Sequence, residues 1–361
     1  MPQKDKHLDW IDGLKGISAC IIAFAWHYQH FIAFPNVPFY KIFQVTYSYG
    51  SYLVELFFML SGFGMMLGYG ERILNHEITF IRYMKKRIKK IYPLFLLSTF
   101  VVIILEMLIH HQSGEYFVYQ NFDLYHLILN LLLLQNGVIE TKYSFNAPSW
   151  VISVLIFLYV IFFLVCYYAK DISMINYLFM SGVILGIIIF ITGGSRPFWN
   201  SQIGRGLSCF SLGVLLYTVY QQRDKYKLNK IGYAGILFIA LVYFLLRTDR
   251  MDYIGKYRMV VILAVSPLLI ICAFSIPWIG YLLSVKPLVF LGKISIAIYL
   301  FHFPVQCFLK CISLYGMDLI FSSPVFQAVY IVLTLGAASI YSFFISDKYE
   351  RWLCGTFSLI R

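Results

Sequence analysis

Two histidines within long apolar stretches are the residues best suited to acid–base chemistry in this chain. His27 lies in the first stretch, which begins at Gly13, and His302 lies in the stretch 289–309. Ionisable groups among apolar residues are costly to bury and are therefore candidates for function. At 1.5 Å of rise per helical residue, both imidazoles are predicted about 20 Å from the start of their stretches, at the same depth. A neutral imidazole is the usual base for an alcohol near neutral pH; the alternative is a histidine that only packs against a neighbouring helix.

Two further hydrogen-bonding side chains share a helix face with His302. Ser295 and Tyr299 precede it by seven and three residues, and this spacing places all three on one side of an α-helix. Together they are predicted to line a polar site. His30 and Glu55 are further ionisable residues within apolar stretches, and they are candidates for function on the same physical ground.

The elements that must position these residues are membrane helices. The 361 residues are 60% hydrophobic and only 13% charged, with a mean hydropathy of +0.75, whereas a soluble globular domain carries about 25% charged residues. This composition excludes collagen, disordered tails and nucleic-acid-binding modules, and it predicts an all-α polytopic membrane protein. The apolar stretches begin at Gly13 and then cover 51–70, 91–109, 124–134, 150–168, 175–192, 204–220, 231–246, 259–276, 289–309 and 325–346.

Charge placement predicts the topology. The connection 71–90 holds seven basic residues against two acidic ones, and 221–230 holds four against one, so both are predicted to be cytoplasmic. An even number of crossings must separate them. The stretch 124–134 has only eleven residues, too few to span a bilayer, and is predicted to be a re-entrant or interfacial segment on the outer side. About ten transmembrane helices result, with both termini cytoplasmic.

Two groups of cations exceed what orientation requires. The basic part of the first cytoplasmic loop, 82–90, is a topology anchor or a site for a ligand with several phosphates. The loop 247–258 carries four cations against two acids but is predicted to lie outside, so either a second segment is miscounted or these cations have a role on the outer face. No cluster with metal-ligand spacing occurs, so no metal is expected. The small residues Ser61, Gly62, Gly64 and Gly68 are expected to allow close helix packing.

Four short motifs occur in a distinctive order. They are Asp-Gly-Leu-Lys-Gly-Ile at 12–17 followed by His27, Glu-Leu-Phe-Phe-Met-Leu-Ser-Gly-Phe at 55–63, Arg-Ile-Lys-Lys-Ile-Tyr-Pro at 87–93, and Gly-Lys-Ile-Ser at 292–295 followed by Tyr-Leu-Phe-His at 299–302. With these motifs the chain resembles, nearly end to end, the integral membrane acyltransferase 3 family. Its members are bacterial multi-pass enzymes that O-acylate sugars of envelope, capsular and exported glycans with cytoplasmic acyl-CoA.

The chain departs from the family pattern at two positions. Members usually have ten residues between the basic residue and the histidine of the first motif, whereas eleven separate Lys15 from His27. That spacing places the two about 120° apart on an ideal helix, and a local bulge would restore their alignment. Many members also carry a glutamate where Leu155 stands, after Trp150. The chain ends soon after its last apolar stretch, so a single membrane domain over 1–361 without a soluble extracellular domain is expected.

The resemblance implies an acyl-CoA-dependent O-acyltransferase, most simply an O-acetyltransferase with acetyl-CoA as co-substrate, in the bacterial plasma membrane. His27 would act as general base or accept the acyl group transiently, and both alternatives stay open. The implied roles cover three groups of residues. They are the catalytic residues His27, His302, Tyr299 and Ser295; the residues that bind CoA, Lys15, Arg87, Lys90 and Tyr92; and the acceptor-side residues Arg196, Arg205, Glu55 and Trp150.

The implied partners are a cell-surface or capsular glycan and membrane lipids, with no nucleic acid. A separate glycan-assembly protein or a second copy of the chain is a further candidate partner. Two other functions compete with acyl transfer. One is a transporter or flippase for the same glycans, which inverted repeats with broken helices would favour. The other is an inactive scaffold that lost catalysis with Leu155 in place of the carboxylate.

Overall fold

The structure, a computed structural model, describes residues 8–140, 142–223, 225–226, 228–248 and 258–345. Over these ranges the regular elements are helices, and no strand is present. In chain order the α-helices are α1 (Asp9–Phe24), α2 (Tyr40–Tyr49), α3 (Leu53–Met65), α4 (Glu71–Leu74), α5 (Phe80–Ser113), α6 (Leu124–Leu131), α7 (Trp150–Tyr168), α8 (Ile172–Thr192), α9 (Ser201–Gln221), α10 (Asn229–Arg247), α11 (Arg258–Ser275), α12 (Pro277–Leu283), α13 (Lys286–Lys293), α14 (Ser295–Leu314) and α15 (Pro324–Ile340).

The predicted polytopic membrane fold is confirmed. Among the described residues, nine helical segments are long and apolar enough to cross a membrane, and each overlaps one of the ten predicted spans. The tenth is α1, whose 16 residues rise only about 24 Å. A 3₁₀ turn, Trp26–His30, continues it towards the far end. The cytoplasmic placement of both termini stays a prediction.

One predicted span is two helices. The stretch 289–309 breaks at Ile294, where φ is −97° and ψ is 7°, so α13 ends and α14 begins anew at Ser295. The rise calculated for His302 along a single continuous helix was therefore wrong. Similarly, α1 ends at Phe24, and Ala25 has φ −111° and ψ −67° before the 3₁₀ turn that carries His27. The depths of both histidines depend on these breaks and cannot be read from residue counts.

The short stretch 124–134 does not span, as predicted. Its helix α6 has eight residues, and the hydroxyl of Tyr92 on α5 donates to the carbonyl of Leu131 at 2.8 Å. After α6 the chain passes through the protein interior, where Asn146 is fully buried. The Asn146 amide donates to the hydroxyl of Ser98 on α5 and to the carbonyl of Leu300 on α14, at 3.0 and 3.1 Å. Part of this connection is therefore buried in the helix bundle, where membrane proteins tolerate an irregular backbone. Its assignment as a re-entrant or interfacial segment stays a prediction.

Glycines set the closest helix contacts. A Cβ atom at Gly62 on α3 would overlap the carbonyl oxygen of Phe210 on α9, and one at Gly213 would overlap that of Met59. The packing role predicted for Gly62 is thereby confirmed. The same role was wrong for Gly64 and Gly68, since a Cβ atom at either would meet nothing within 4 Å.

A second glycine contact places the amino-terminal helix. A Cβ atom at Gly292 on α13 would overlap the carbonyl oxygen of Asp12, and one at Gly16 on α1 would lie 2.7 Å from the Gly292 nitrogen. Helices α1 and α13 are therefore packed backbone to backbone. Because α14 follows α13 directly, this contact sets the start of α14 beside α1 and brings His302 towards His27.

Candidate active site

Three histidines form a stack where α1 meets α14. The rings of His27 and His302 lie nearly parallel, with an angle of 10° and centroids 4.7 Å apart. The ring of His30 also stacks on that of His27, with the two centroids 5.1 Å apart and an angle of 30° between the rings. The two histidines predicted at equal depth are thus in direct contact, although neither of the two predicted stretches that carry them is one continuous helix.

Hydrogen bonds fix the outer rings of the stack. The Nδ1 atom of His302 lies 2.6 Å from the carbonyl of Tyr299; because a carbonyl only accepts, Nδ1 carries the proton. His30 Nδ1 lies 2.8 Å from the Gln306 side-chain oxygen, and the Gln306 amide donates to the backbone carbonyl of His27, also at 2.8 Å. Two buried ring nitrogens, Nδ1 of His27 and Nε2 of His302, have no hydrogen-bond partner within the described part of the chain. The Nε2 atom of His27 is not among these buried, unpartnered atoms.

A cavity of about 230 Å³ lies against His27. The hydroxyl of Tyr299 lies in its wall and donates to the carbonyl of Pro148 at 2.7 Å. His302 does not line the cavity, so it contacts the space only through His27. The lining residues are Trp26, His27, Ser51, Val54, Tyr119, Tyr143, Pro148, Trp150, Arg205, Arg258 and Tyr299.

An ion cluster contributes two arginines, Arg205 and Arg258, to the wall of the cavity. The fully buried carboxylate of Glu55 lies 2.5 Å from Nε of Arg205 and 3.1 Å from a terminal nitrogen of Arg258. The guanidinium of Arg205 also lies over the Trp150 ring, 5.1 Å from its centroid. Two of the four predicted acceptor-side residues, Arg205 and Trp150, therefore line one cavity with His27, and Glu55 does not line it but binds both arginines.

The fourth acceptor-side residue is elsewhere. Arg196 is exposed and does not line the cavity; its backbone carbonyl accepts from the Asn200 side chain at 3.1 Å. Sequence reasoning placed Arg258 only among the loop cations and missed its pairing with Glu55. The available signal was that this cation directly precedes an apolar stretch. Arg250 and Lys256, predicted to face an acceptor, lie outside the described residues.

Comparison with known proteins identifies the family. A family model described as an acyltransferase domain matches residues 8–343. The chain belongs to this acyltransferase family. It is 27% identical over 235 residues to the “Putative acetyltransferase ORF330” of Acidianus two-tailed virus, covering 61% of this chain and 64% of that protein.

A second relative comes from a bacterium. The chain is 27% identical over 304 residues to the “O-acetyltransferase OatA” of Staphylococcus aureus, covering 73% of this chain and 47% of that protein. The chain thus spans between about half and two thirds of the length of these curated relatives. No solved structure matches it.

In this acyltransferase family member, three of the four residues predicted to bind the acyl donor lie near one another. Lys15, in the first half of α1, lies within electrostatic range of Asp12 on the same helix and of Arg87 and Lys90 on α5. The Arg87 guanidinium lies over the Tyr69 ring, 4.4 Å from its centroid, and its Nε is buried with no hydrogen-bond partner in the described ranges. The irregularity required by the spacing of Lys15 and His27 is present at Ala25, and the following 3₁₀ turn advances about 120° per residue.

Two predicted site residues, Tyr92 and Ser295, belong neither to the cavity wall nor to the group formed by Lys15, Arg87 and Lys90. The hydroxyl of Tyr92 donates to the carbonyl of Leu131, so it binds the end of α6 to α5. Ser295 is the first residue of α14, about 10 Å along the helix from His302, and it does not line the cavity. Leu155 does not line the cavity either. No cluster of three or more histidine, cysteine or acidic residues within the described ranges is arranged to hold a metal.

Proposed function

We propose that this protein is an O-acyltransferase that moves an acetyl group from cytoplasmic acetyl-CoA to a sugar hydroxyl of an extracytoplasmic or lipid-linked glycan. We place it in the bacterial plasma membrane. The family membership supports acyl transfer, and the relative named O-acetyltransferase supports oxygen as the acceptor atom and acetyl as the group. The observation that carries the proposal is His27, which lines a cavity while its ring is packed against that of His302.

In the proposed reaction His27 is the general base. Its Nε2 takes the proton of the acceptor hydroxyl as the oxygen attacks the thioester carbonyl carbon. The C–O bond forms and the C–S bond breaks, so the acetyl group leaves CoA and the thiolate receives the proton held by His27. His302 is a positioning residue: its ring is fixed by the Tyr299 carbonyl and stacks on His27, which limits rotation of the base. In the alternative mechanism, His27 itself carries the acetyl group between donor and acceptor.

The donor would bind from the opposite end of α1. Lys15, Arg87 and Lys90 form a cationic group that suits the phosphates of CoA. Lys15 lies on α1, and His27 lies in the 3₁₀ turn that follows this helix. The pantetheine arm of CoA would extend along α1 and deliver the thioester to the cavity. Arg205 and Trp150 would then face the acceptor sugar, and Glu55 would hold Arg205 in place.

The test uses the full chain reconstituted in liposomes. Acetyl-CoA labelled in its acetyl group is supplied on one side, and glycan from the producing cell's envelope on the other. The proposal predicts label in the glycan, removed by mild base as expected of an ester, together with one free CoA thiol per acetyl transferred. Movement of glycan across the membrane with acetyl-CoA left intact would contradict the proposal and favour a flippase.

A further inference from the structure

The ion cluster of the cavity carries one more positive charge than negative. Glu55 is the single carboxylate among the described residues that contacts either guanidinium, whereas Arg205 and Arg258 both contact it. One arginine is enough to neutralise a buried carboxylate. The second leaves a surplus cation on mostly buried side chains, 12% exposed for Arg205 and 24% for Arg258, where an unbalanced charge is costly.

Among the described residues that line the cavity, no carboxylate is present to balance this surplus. The other polar side chains of its wall are His27, Ser51 and the phenols of Tyr119, Tyr143 and Tyr299.

Arg258 has hydrogen-bonding capacity to spare. One terminal nitrogen binds the Ser51 carbonyl at 3.2 Å and the Glu55 carboxylate at 3.1 Å. The guanidinium lies over the Tyr52 ring, with its central carbon 4.6 Å from the centroid. Its Nε is buried and has no hydrogen-bond partner in the part of the chain described. A guanidinium has five N–H donors in a fork that matches carboxylate and phosphate.

We propose that Arg258, together with Arg205, forms a subsite for an anionic group on the acceptor, a carboxylate or a phosphate, next to the hydroxyl that His27 deprotonates. The inference rests on the proposed acyl transfer and adds the substrate class, a negatively charged saccharide. Glu55 holds the two guanidinium groups in place, and the incoming anion neutralises the surplus. Phosphate and carboxylate share this chemistry, and the experiment distinguishes them.

A different use of the same charge would be stabilisation of the oxyanion that forms on the thioester carbonyl. The two uses have different kinetic consequences. An oxyanion role lowers kcat by the same factor for every acceptor when the arginine is changed. A subsite for the acceptor's anion changes the preference between charged and neutral acceptors, and it acts on kcat/KM for the charged ones.

The experiment measures kcat/KM of the full chain in liposomes for three acceptors: methyl glucoside, methyl glucuronoside and methyl glucoside 6-phosphate. The wild type is expected to prefer one or both charged sugars to the neutral sugar. Arg258→Gln is expected to reduce that preference about ten- to a hundredfold, the loss expected for one charge-assisted hydrogen bond. Arg258→Lys is expected to restore part of it, and Arg223→Gln, which removes a cation elsewhere in the chain, to leave it unchanged. Glu55 keeps its Arg205 contact in Arg258→Gln, so the variant is expected to fold.

The outcomes separate the inference from the function on which it rests. A preference that is absent in the wild type, or equal in wild type and Arg258→Gln, overturns the subsite. A uniform fall in kcat for all three sugars overturns it in favour of the oxyanion role. Absence of acetyl transfer to these sugars and to envelope glycan, with acetyl-CoA intact, overturns the proposed function and the inference with it. A larger change for the phosphate or for the carboxylate supports the subsite and identifies the anion.

Discussion

Glu55→Gln tests whether one carboxylate holds the ion cluster together. The substitution keeps the size of the side chain but removes the charge that faces Arg205 at 2.5 Å and Arg258 at 3.1 Å. Two guanidinium groups would then lie close together without a counter-ion. We expect a loss of stability and, because both arginines move apart, a loss of acetyl transfer.

The size of the effect follows from burial. Removing one partner of a buried ion pair costs about 3 to 5 kcal/mol. The side chains of Arg205 and Arg258 are 12% and 24% exposed. We therefore expect a loss of stability at the low end of this range, about 3 kcal/mol. The entropy of unfolding is about 2.1 cal/mol/K per residue, which for 361 residues converts this loss to a fall in midpoint of about 4 °C.

The assay is thermal unfolding of the purified protein in detergent, followed by the fraction that remains monodisperse. Glu115→Gln is the matched control, since Glu115 is exposed. This variant should have the same unfolding midpoint as the wild type. The double variant Glu55→Gln/Arg258→Gln should recover part of the loss, because it removes the charge repulsion that the single variant creates. A midpoint for Glu55→Gln within 1 °C of wild type, or a double variant whose loss equals the sum of the two single losses, would refute the reasoning.

Three further predictions concern packing, the donor and the ring stack. Gly62→Val should destabilise the protein by several degrees because its Cβ would overlap a backbone carbonyl of α9, whereas Gly64→Val should not, since its Cβ would meet nothing; thermal unfolding compares them. Arg87→Gln should raise KM for acetyl-CoA about tenfold or more with little change in kcat, and an unchanged KM would remove it from the donor site. His302→Ala should lower kcat and leave KM for acetyl-CoA unchanged, because the base loses its stacked neighbour; a change in KM alone would contradict a positioning role.

Hydropathy and charge predict most of this fold because the bilayer leaves few alternatives. A long apolar stretch must be a helix in lipid, so nine of the predicted spans reappear in the described residues. The short stretch around Asn130 was correctly excluded from spanning by its length. The spacing of Lys15 and His27 indicated an irregularity between them but not its position at Ala25, and the break at Ile294 was not predicted. The dihedral angles at both residues depend on how α1, α13 and α14 pack.

The site was partly predictable for a similar reason. His27, His302 and Glu55 were visible because ionisable residues are rare in apolar stretches. Their contacts were not, since they join residues hundreds of positions apart: Glu55 pairs with Arg258 and His27 stacks on His302. Gly64 shows the converse limit, because a small residue in a membrane helix has the same sequence signature whether it faces a helix or open space.

The central claim, that His27 is the base of acetyl transfer, is tested most directly by the rate of transfer from labelled acetyl-CoA to glycan in His27→Ala. His111→Ala is the matched control, since His111 is an exposed histidine at the end of α5. Removal of a general base lowers a rate about 10²- to 10⁴-fold, so His27→Ala should lose transfer by that factor while the control keeps the wild-type rate. A His27→Ala protein that acetylates glycan at the wild-type rate would contradict the account.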